Sequence, residues 1–228
     1  MQKILIIVLI ITLYSCRHET KKTTKIEAIS VKKDSIEEEI DAENKINDSV
    51  YCLKKSNNEG YFYMYYSKDE NENISFDSIK IENKFDKKIQ KIKFKKDYFL
   101  SSWQADFWLE DDVNFDGFKD LKIINYNGLY NTQYSFWIYK NKDHIYKHAF
   151  ALDSIYNPGF DATKKEIYSE WRVALESFHY ETYFWKNNKL ILKEERIEDL
   201  TNNSDSIHVF TKKLVGGKYI EKEVNVKQ

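Results

Sequence analysis

The chain has 228 residues, 36 of them basic and 37 acidic, so a net charge of −1 hides dense charge of both signs. No basic stripe runs through it, which argues against nucleic acid as a partner. The length suffices to bury a sizeable single core. The two cysteines, Cys16 and Cys52, are too few and too unlike in setting to suggest a disulfide framework.

The chain begins with the basic Met1-Gln2-Lys3, followed by an aliphatic run over residues 4–13 and then Leu13-Tyr14-Ser15-Cys16. A basic start, an apolar run of about ten residues and a small residue before the cut define a secretory signal. A transmembrane helix needs about 18 or more apolar residues, so the run is too short to span. Leu13-Tyr14-Ser15-Cys16 resembles the bacterial lipobox, with Tyr14 bulkier than usual at its place. The resemblance implies cleavage before Cys16 and lipidation of its thiol. Residues 1–15 are then a lipoprotein signal peptide, and the chain is tethered to an envelope membrane without crossing it. The periplasmic side and the outer face of the outer membrane both stay open. Cys52 is left as the other thiol and cannot form an internal disulfide. Its apolar neighbours Tyr51 and Leu53 predict a small buried hydrophobe.

Residues 16–48 read as a flexible charged tether. Lys21-Lys22, Lys32-Lys33-Asp34 and Glu37-Glu38-Glu39 punctuate a stretch with few aromatics. Such a composition does not offset the entropy of ordering. Ile36, Ile40 and Ile46 predict at most a transient helix over residues 35–46.

Residues 49–228 read as a single all-β domain, an antiparallel sandwich or meander of short strands. Residues 60–66 are aromatic at odd and even positions, which predicts a central strand buried on both faces. Residues 74–81 and 89–94 alternate with a period of two, the pattern of a strand with one solvated face. Residues 134–139, 145–150 and 166–171 continue the pattern, and one short helical turn is expected near 100–105. Lys140-Asn141-Lys142-Asp143, Asn187-Asn188 and Gly216-Gly217 separate strand-like runs. Asn and Gly tolerate the positive φ that tight hairpins need.

One segment specifies a chemistry. Asp112-Val113-Asn114-Phe115-Asp116-Gly117-Phe118-Lys119-Asp120 reads D-x-N-x-D-G-x-x-D. In calcium loops of this type, positions one, three and five supply side-chain oxygens, seven a backbone carbonyl, and nine often acts through water. Counting from Asp112 gives Asp112, Asn114, Asp116, the Phe118 carbonyl and Asp120 as the ligand set, with Gly117 for the sharp turn. Position twelve is Ile123, where a bidentate acid belongs. Either Asp120 binds directly or another acid closes the site, Glu110 and Asp111 being adjacent. The apolar run from Leu121 to Ile124 predicts a strand after the loop, which removes the EF-hand sensor. The competing reading is an Asx-rich turn that binds nothing.

The segment from Val113 to Leu121 resembles two groups. One is the FG-GAP-type calcium loop of integrin-like propellers, which recurs in every blade; here it occurs once. The other is a family of bacterial envelope proteins with a single N-F-D-G-x-x-D-L segment. There an aromatic-rich Y-x-x-W-type stretch, an N-P-x-F-D segment and paired C-terminal strands with Y-x-W and K-L steps follow. This chain offers Tyr134-Ser135-Phe136-Trp137, Asn157-Pro158-Gly159-Phe160-Asp161, Tyr183-Phe184-Trp185 and Lys189-Leu190 in that order, spanning residues 108–192. The family includes a lysozyme-inhibitor-like immunity protein, β-rich and calcium-binding, that protects against the effector of a bacterial-killing type IV secretion system. The resemblance implies calcium as cofactor and a lysozyme-like peptidoglycan hydrolase as protein partner. It carries over no inhibitory residue.

No H-E-x-x-H, G-x-S-x-G or Gly-rich phosphate loop occurs, so no catalytic residue is assigned and the expected class is not an enzyme. His144 and His148, if both lie in one strand, sit about 13 Å apart and cannot share a zinc ion. The alternative function is carbohydrate binding or glycan processing. Trp103, Trp108, Trp137, Trp171 and Trp185 can stack on sugars, although most are expected in the core.

Overall fold

The computed structural model describes residues 41–45, 50–94, 99–100, 105–200 and 206–227. The signal peptide, Cys16, most of the tether, Trp103 and most of the expected helical turn lie outside them. Three antiparallel sheets make up the described chain. The first contains β1 (Asp41–Lys45), β2 (Val50–Ser56), β3 (Gly60–Lys68), β4 (Ile74–Asn83) and β5 (Ile89–Lys93) in that order, with β6 (Phe99–Leu100) also paired to β4. The second runs β10 (Ile145–His148), β9 (Thr132–Lys140), β8 (Leu121–Asn127), β7 (Phe107–Trp108). The third is a meander of β11 (Gly159–Asp161), β12 (Glu166–Ala174), β13 (Ser177–Lys186), β14 (Lys189–Leu200), β15 (Ser206–Val215) and β16 (Lys218–Lys227). The expected all-β antiparallel class is what forms. Among the described residues the only helical element is a 3-10 turn, Phe150–Leu152, and no helix is long and apolar enough to cross a membrane.

The second sheet is the middle layer because β9 is buried on both faces from Ser135 to Tyr139, with four large apolar side chains in a row at 136–139. A strand points successive side chains to opposite faces. Trp137 and Tyr139 therefore face the first sheet, where they pack with Phe62, Met64, Phe76, Ile79 and Ile81. Phe136 and Ile138 face the other way, onto Val113, Leu152, Ile155 and Ile167. Full burial of such a side chain contributes about 1.5–3 kcal/mol. Cys52 joins the buried set, and burial pushes its thiol above the usual range.

Four local features go beyond what the residue pattern predicts. In β3 Phe62, Met64 and Tyr66 are buried, as is Gly60, while Tyr61 is 42% exposed and Tyr63 and Tyr65 are half-buried. The first sheet is an outer layer, so its tyrosine face meets lysine instead of a second sheet: Lys84 Nζ lies 4.7 Å from the Tyr61 ring and Lys80 Nζ 5.1 Å from Tyr63. In β4 the register skips Asp77, since Tyr65 pairs with Ser78 and Tyr66 with Phe76. A bulge of this kind puts Phe76 and Ile79, three apart, on one face. Asp41–Lys45 forms a strand on β2 instead of a helical segment. An isolated helix of about 12 residues is marginal, whereas the open edge of β2 offers backbone partners.

In β5 the apolar Ile89 is 63% exposed and the polar Gln90 turns inward. Gln90 Nε2 donates to the Tyr146 carbonyl at 2.7 Å, and Gln90 Oε1 accepts the Tyr146 N–H at 2.8 Å. One amide thus closes the free edge of β10 and ties two sheets together. Gln90→Ala strands both backbone groups, and a loss of about 1–3 kcal/mol is expected. Urea unfolding checks it; an unchanged midpoint would show that water replaces the amide without cost.

The hairpin turns follow the expected chemistry. Asn187 and Asn188 have φ of 51° and 59°, and Gly216 and Gly217 of 58° and 83°, joining β13 to β14 and β15 to β16. Every residue of the edge strand β16 is exposed. Its Lys218, Glu221, Lys222, Glu223 and Lys227 oppose edge-to-edge association.

Candidate metal loop and the paired hairpin ends

The loop between β7 and β8 is built by its own side chains. Asp112 Oδ1 accepts the Asp116 N–H at 3.0 Å, and Oδ2 accepts the Gly117 N–H at 2.7 Å. Asp116 Oδ1 accepts the Phe118 N–H at 3.0 Å, and its Oδ2 accepts Asn114 Nδ2–H at 2.8 Å. Gly117 adopts φ of +93° and Phe115 +60°, so the chain doubles back around these oxygens. Asn114 Oδ1 is buried and has no hydrogen-bond partner. An ionised carboxylate oxygen that accepts one N–H still has a lone pair to offer. Asp112, Asn114 and Asp116 are thus brought together as hard oxygen donors, with one of them lacking any other partner.

Asp120 is placed differently. It is 1% exposed, with Oδ2 accepting the Val113 N–H and Oδ1 the Tyr139 N–H, both at 2.8 Å. Its first service is to clasp the loop to β9. Burial, with the charges of Asp116 and Asp112 adding to it, pushes its carboxyl up to about 7. The adjacent acids are also engaged: Asp111 pairs with Lys122 at 2.5 Å, and Glu110 accepts the Leu109 N–H at 3.1 Å. Among the described residues no group of three or more His, Cys, Asp and Glu is placed to hold a metal ion. Any cation here relies on two loop carboxylates, the Asn114 amide and backbone carbonyls, the donor set of a weak oxygen site.

Trp185 Nε1 donates to the Val113 carbonyl at 2.8 Å and fixes the loop to the third sheet. Between them lies a groove of about 590 Å³, lined by Asn114, Asp116, Lys147, His148, Phe150 and Trp185 among others. His148 stacks on Trp137 at 4.7 Å and pairs with Asp153 at 3.0 Å. His144 lies in the turn before β10, at φ +54°, and pairs with Asp86 at 3.2 Å. The two histidines therefore serve separate partners.

A second constellation escaped the sequence reading. β11 pairs with β12 only as far as Tyr168, so the next part of β12 has an open edge. Two asparagine side chains fill it. Asn157 Nδ2 donates to the Glu170 carbonyl at 2.7 Å and to the Tyr130 carbonyl at 3.0 Å, while its Oδ1 accepts the Thr132 N–H at 2.7 Å. Asn131 accepts the Arg172 N–H at 3.0 Å and donates to the Arg172 carbonyl at 2.7 Å. The β8–β9 and β12–β13 hairpins are thereby locked side by side. A cleft of about 400 Å³ lies there, lined by Tyr130, Asn157, Tyr168, Glu170, Trp171 and Arg172. Asn157-Pro158 is the one signal that pointed here, because such a dipeptide starts turns.

No protein-family model matches the chain, and no curated protein matches it. Among solved structures, its fold is similar to that of a Xanthomonas type IV secretion system related protein. The two share a TM-score of 0.59 and 16% identity over 79% of this chain and 97% of the other. At that identity the likeness is one of fold.

Proposed function

We propose that this chain is an envelope lipoprotein, anchored through Cys16, that binds and blocks a lysozyme-like peptidoglycan hydrolase, with one calcium ion stapling the β7–β8 loop. The observation that carries the reading is the shared fold across 97% of a protein named for a type IV secretion system. The single N-F-D-G-x-x-D-L segment, resembling that of the envelope family, supports it. Blocking needs no catalytic group; it needs a rigid surface, which three stacked sheets provide. Asp112, Asn114, Asp116 and the Phe118 carbonyl would hold the ion. Asp120 would stand behind them as the clasp. A bound cation offsets the mutual repulsion of the three aspartates and gives Asn114 Oδ1 a partner.

The test is a cell-wall lysis assay with the purified protein against a panel of lysozyme-fold hydrolases, including any secreted one encoded beside its gene. Inhibition of at least one is expected; neither binding nor inhibition across the panel would sink the proposal. Carbohydrate binding is the second reading, favoured by the three aromatic rings that line the cleft at Arg172. A glycan-array signal lost in Trp171→Ala would support it.

A further inference from the structure

We infer that the paired hairpin ends form the surface that enters the substrate cleft of the hydrolase, with Arg172 meeting the acidic groups there; this rests on the hydrolase reading above. The turn between β8 and β9 carries Leu129, 86% exposed, and Tyr130, 49% exposed. The β12–β13 end carries Val173 and Leu175, 66% and 68% exposed. Single exposed apolar residues are ordinary on a protein surface, but a set gathered at one place marks a contact site. These four are gathered by the Asn131 and Asn157 bonds, which fix both backbones before any partner arrives. Little ordering entropy is then lost on docking.

Arg172 supplies the polarity. Its guanidinium carbon lies 4.4 Å from the Phe178 ring centroid and 5.4 Å from that of Tyr130. No Asp or Glu oxygen lies within ion-pair distance of it among the described residues. Arginine held between rings and flanked by aliphatic side chains is the composition of an interface hot spot. The complementary partner is a concave surface with carboxylates at its floor. Glycoside-cleaving sites have that shape and charge, because their chemistry takes two carboxyl groups flanking the scissile bond. A planar guanidinium suits a carboxylate through paired hydrogen bonds. An anionic lipid surface fits less well, since residues 126–131 and 170–177 hold no lysine and include Glu170 and Glu176.

The test compares inhibition constants of the full-length protein and its variants against the hydrolase that the unmodified protein inhibits. Leu129→Asp and Arg172→Glu are each expected to weaken inhibition about tenfold or more, with folding unchanged. Arg172→Lys retains the charge but not the planar fork, and is expected to fall between. Ile220→Asp and Phe150→Asp, at exposed apolar sites elsewhere, are expected to leave inhibition within about twofold. Full inhibition by Leu129→Asp and Arg172→Glu, or its loss in Phe150→Asp, overturns the assigned surface and leaves the hydrolase reading standing. If, in the Cys16→Ser protein that carries no lipid, Leu129→Asp instead abolishes sedimentation with phosphatidylglycerol vesicles while inhibition persists, the patch is a membrane contact and the inference falls. Absence of inhibition by the unmodified protein overturns both.

Discussion

Replacing Asp120 with alanine is expected to destabilise the fold by about 2–6 kcal/mol, measured as the urea midpoint in the presence of chelator. The reason is the asymmetry of buried hydrogen bonds: a stranded N–H loses about 1–3 kcal/mol, and Asp120 serves two. One belongs to Tyr139, at a level of β9 that β8 does not reach, since the pairing of those strands stops at Leu121 with Trp137. The carboxylate therefore continues the ladder where the backbone has turned away. The other belongs to Val113, whose side chain is fully buried in the second core cluster. Total stabilities of domains are about 5–15 kcal/mol, so this one side chain carries a substantial fraction. Asp120→Asn keeps one acceptor and turns an NH2 group toward the other donor, so it is expected to recover less than half of the loss. Asp116→Ala, at an exposed position, is expected to cost on the order of 1 kcal/mol. Equal midpoints for Asp120→Ala and the unmodified protein would mean that the clasp contributes nothing.

Asp120 also shows where sequence reading stops. Its spacing from Asp112 identified it as an acid of the loop, and nothing local could reveal that both oxygens face backbone amides, one of them nineteen residues away. The strands were legible because period two and hairpin turns are local properties: Asn187-Asn188 and Gly216-Gly217 need only their own positive φ. The bulge at Asp77 was not, because register is a property of two strands. Gln90 in β5 shares a face with Ile92 and Phe94 by period two, but its partner there, the open edge of β10, lies 56 positions along and is not legible locally. Asn131 and Asn157 belong to the same class. Each acts as a substitute for a missing strand, and the need for it appears only when β11 ends early. Side-chain amides that complete sheet edges are invisible to periodicity, yet here they set the relative placement of hairpins and so the shape of the surface proposed to bind.

Calcium is expected to raise the melting temperature, and the size of the rise follows from the loop's incomplete ligand set. With Ile123 at the twelfth position and Asp120 engaged elsewhere, affinity belongs to the extracellular range of about 10⁻⁴–10⁻³ M. At 10 mM calcium that gives about 1.4–2.7 kcal/mol of stabilisation by mass action, or about 3–10 °C for a chain of this length. Magnesium, which demands a near-ideal octahedron and holds its waters, is expected to give less. Asp116→Ala lowers the starting stability and is also expected to abolish the calcium-dependent increment; that increment, measured against chelator, is what separates a ligand from a turn-former. The competing account, an Asx turn closed on itself, is satisfied by the four hydrogen bonds of Asp112 and Asp116. It leaves Asn114 Oδ1 buried and unpaired, an arrangement that is unfavourable without a further partner. An identical melt in chelator and in millimolar calcium would make that turn account correct, with Asn114 Oδ1 satisfied by water and the loop held by its own aspartate bonds together with Asp120 and Trp185.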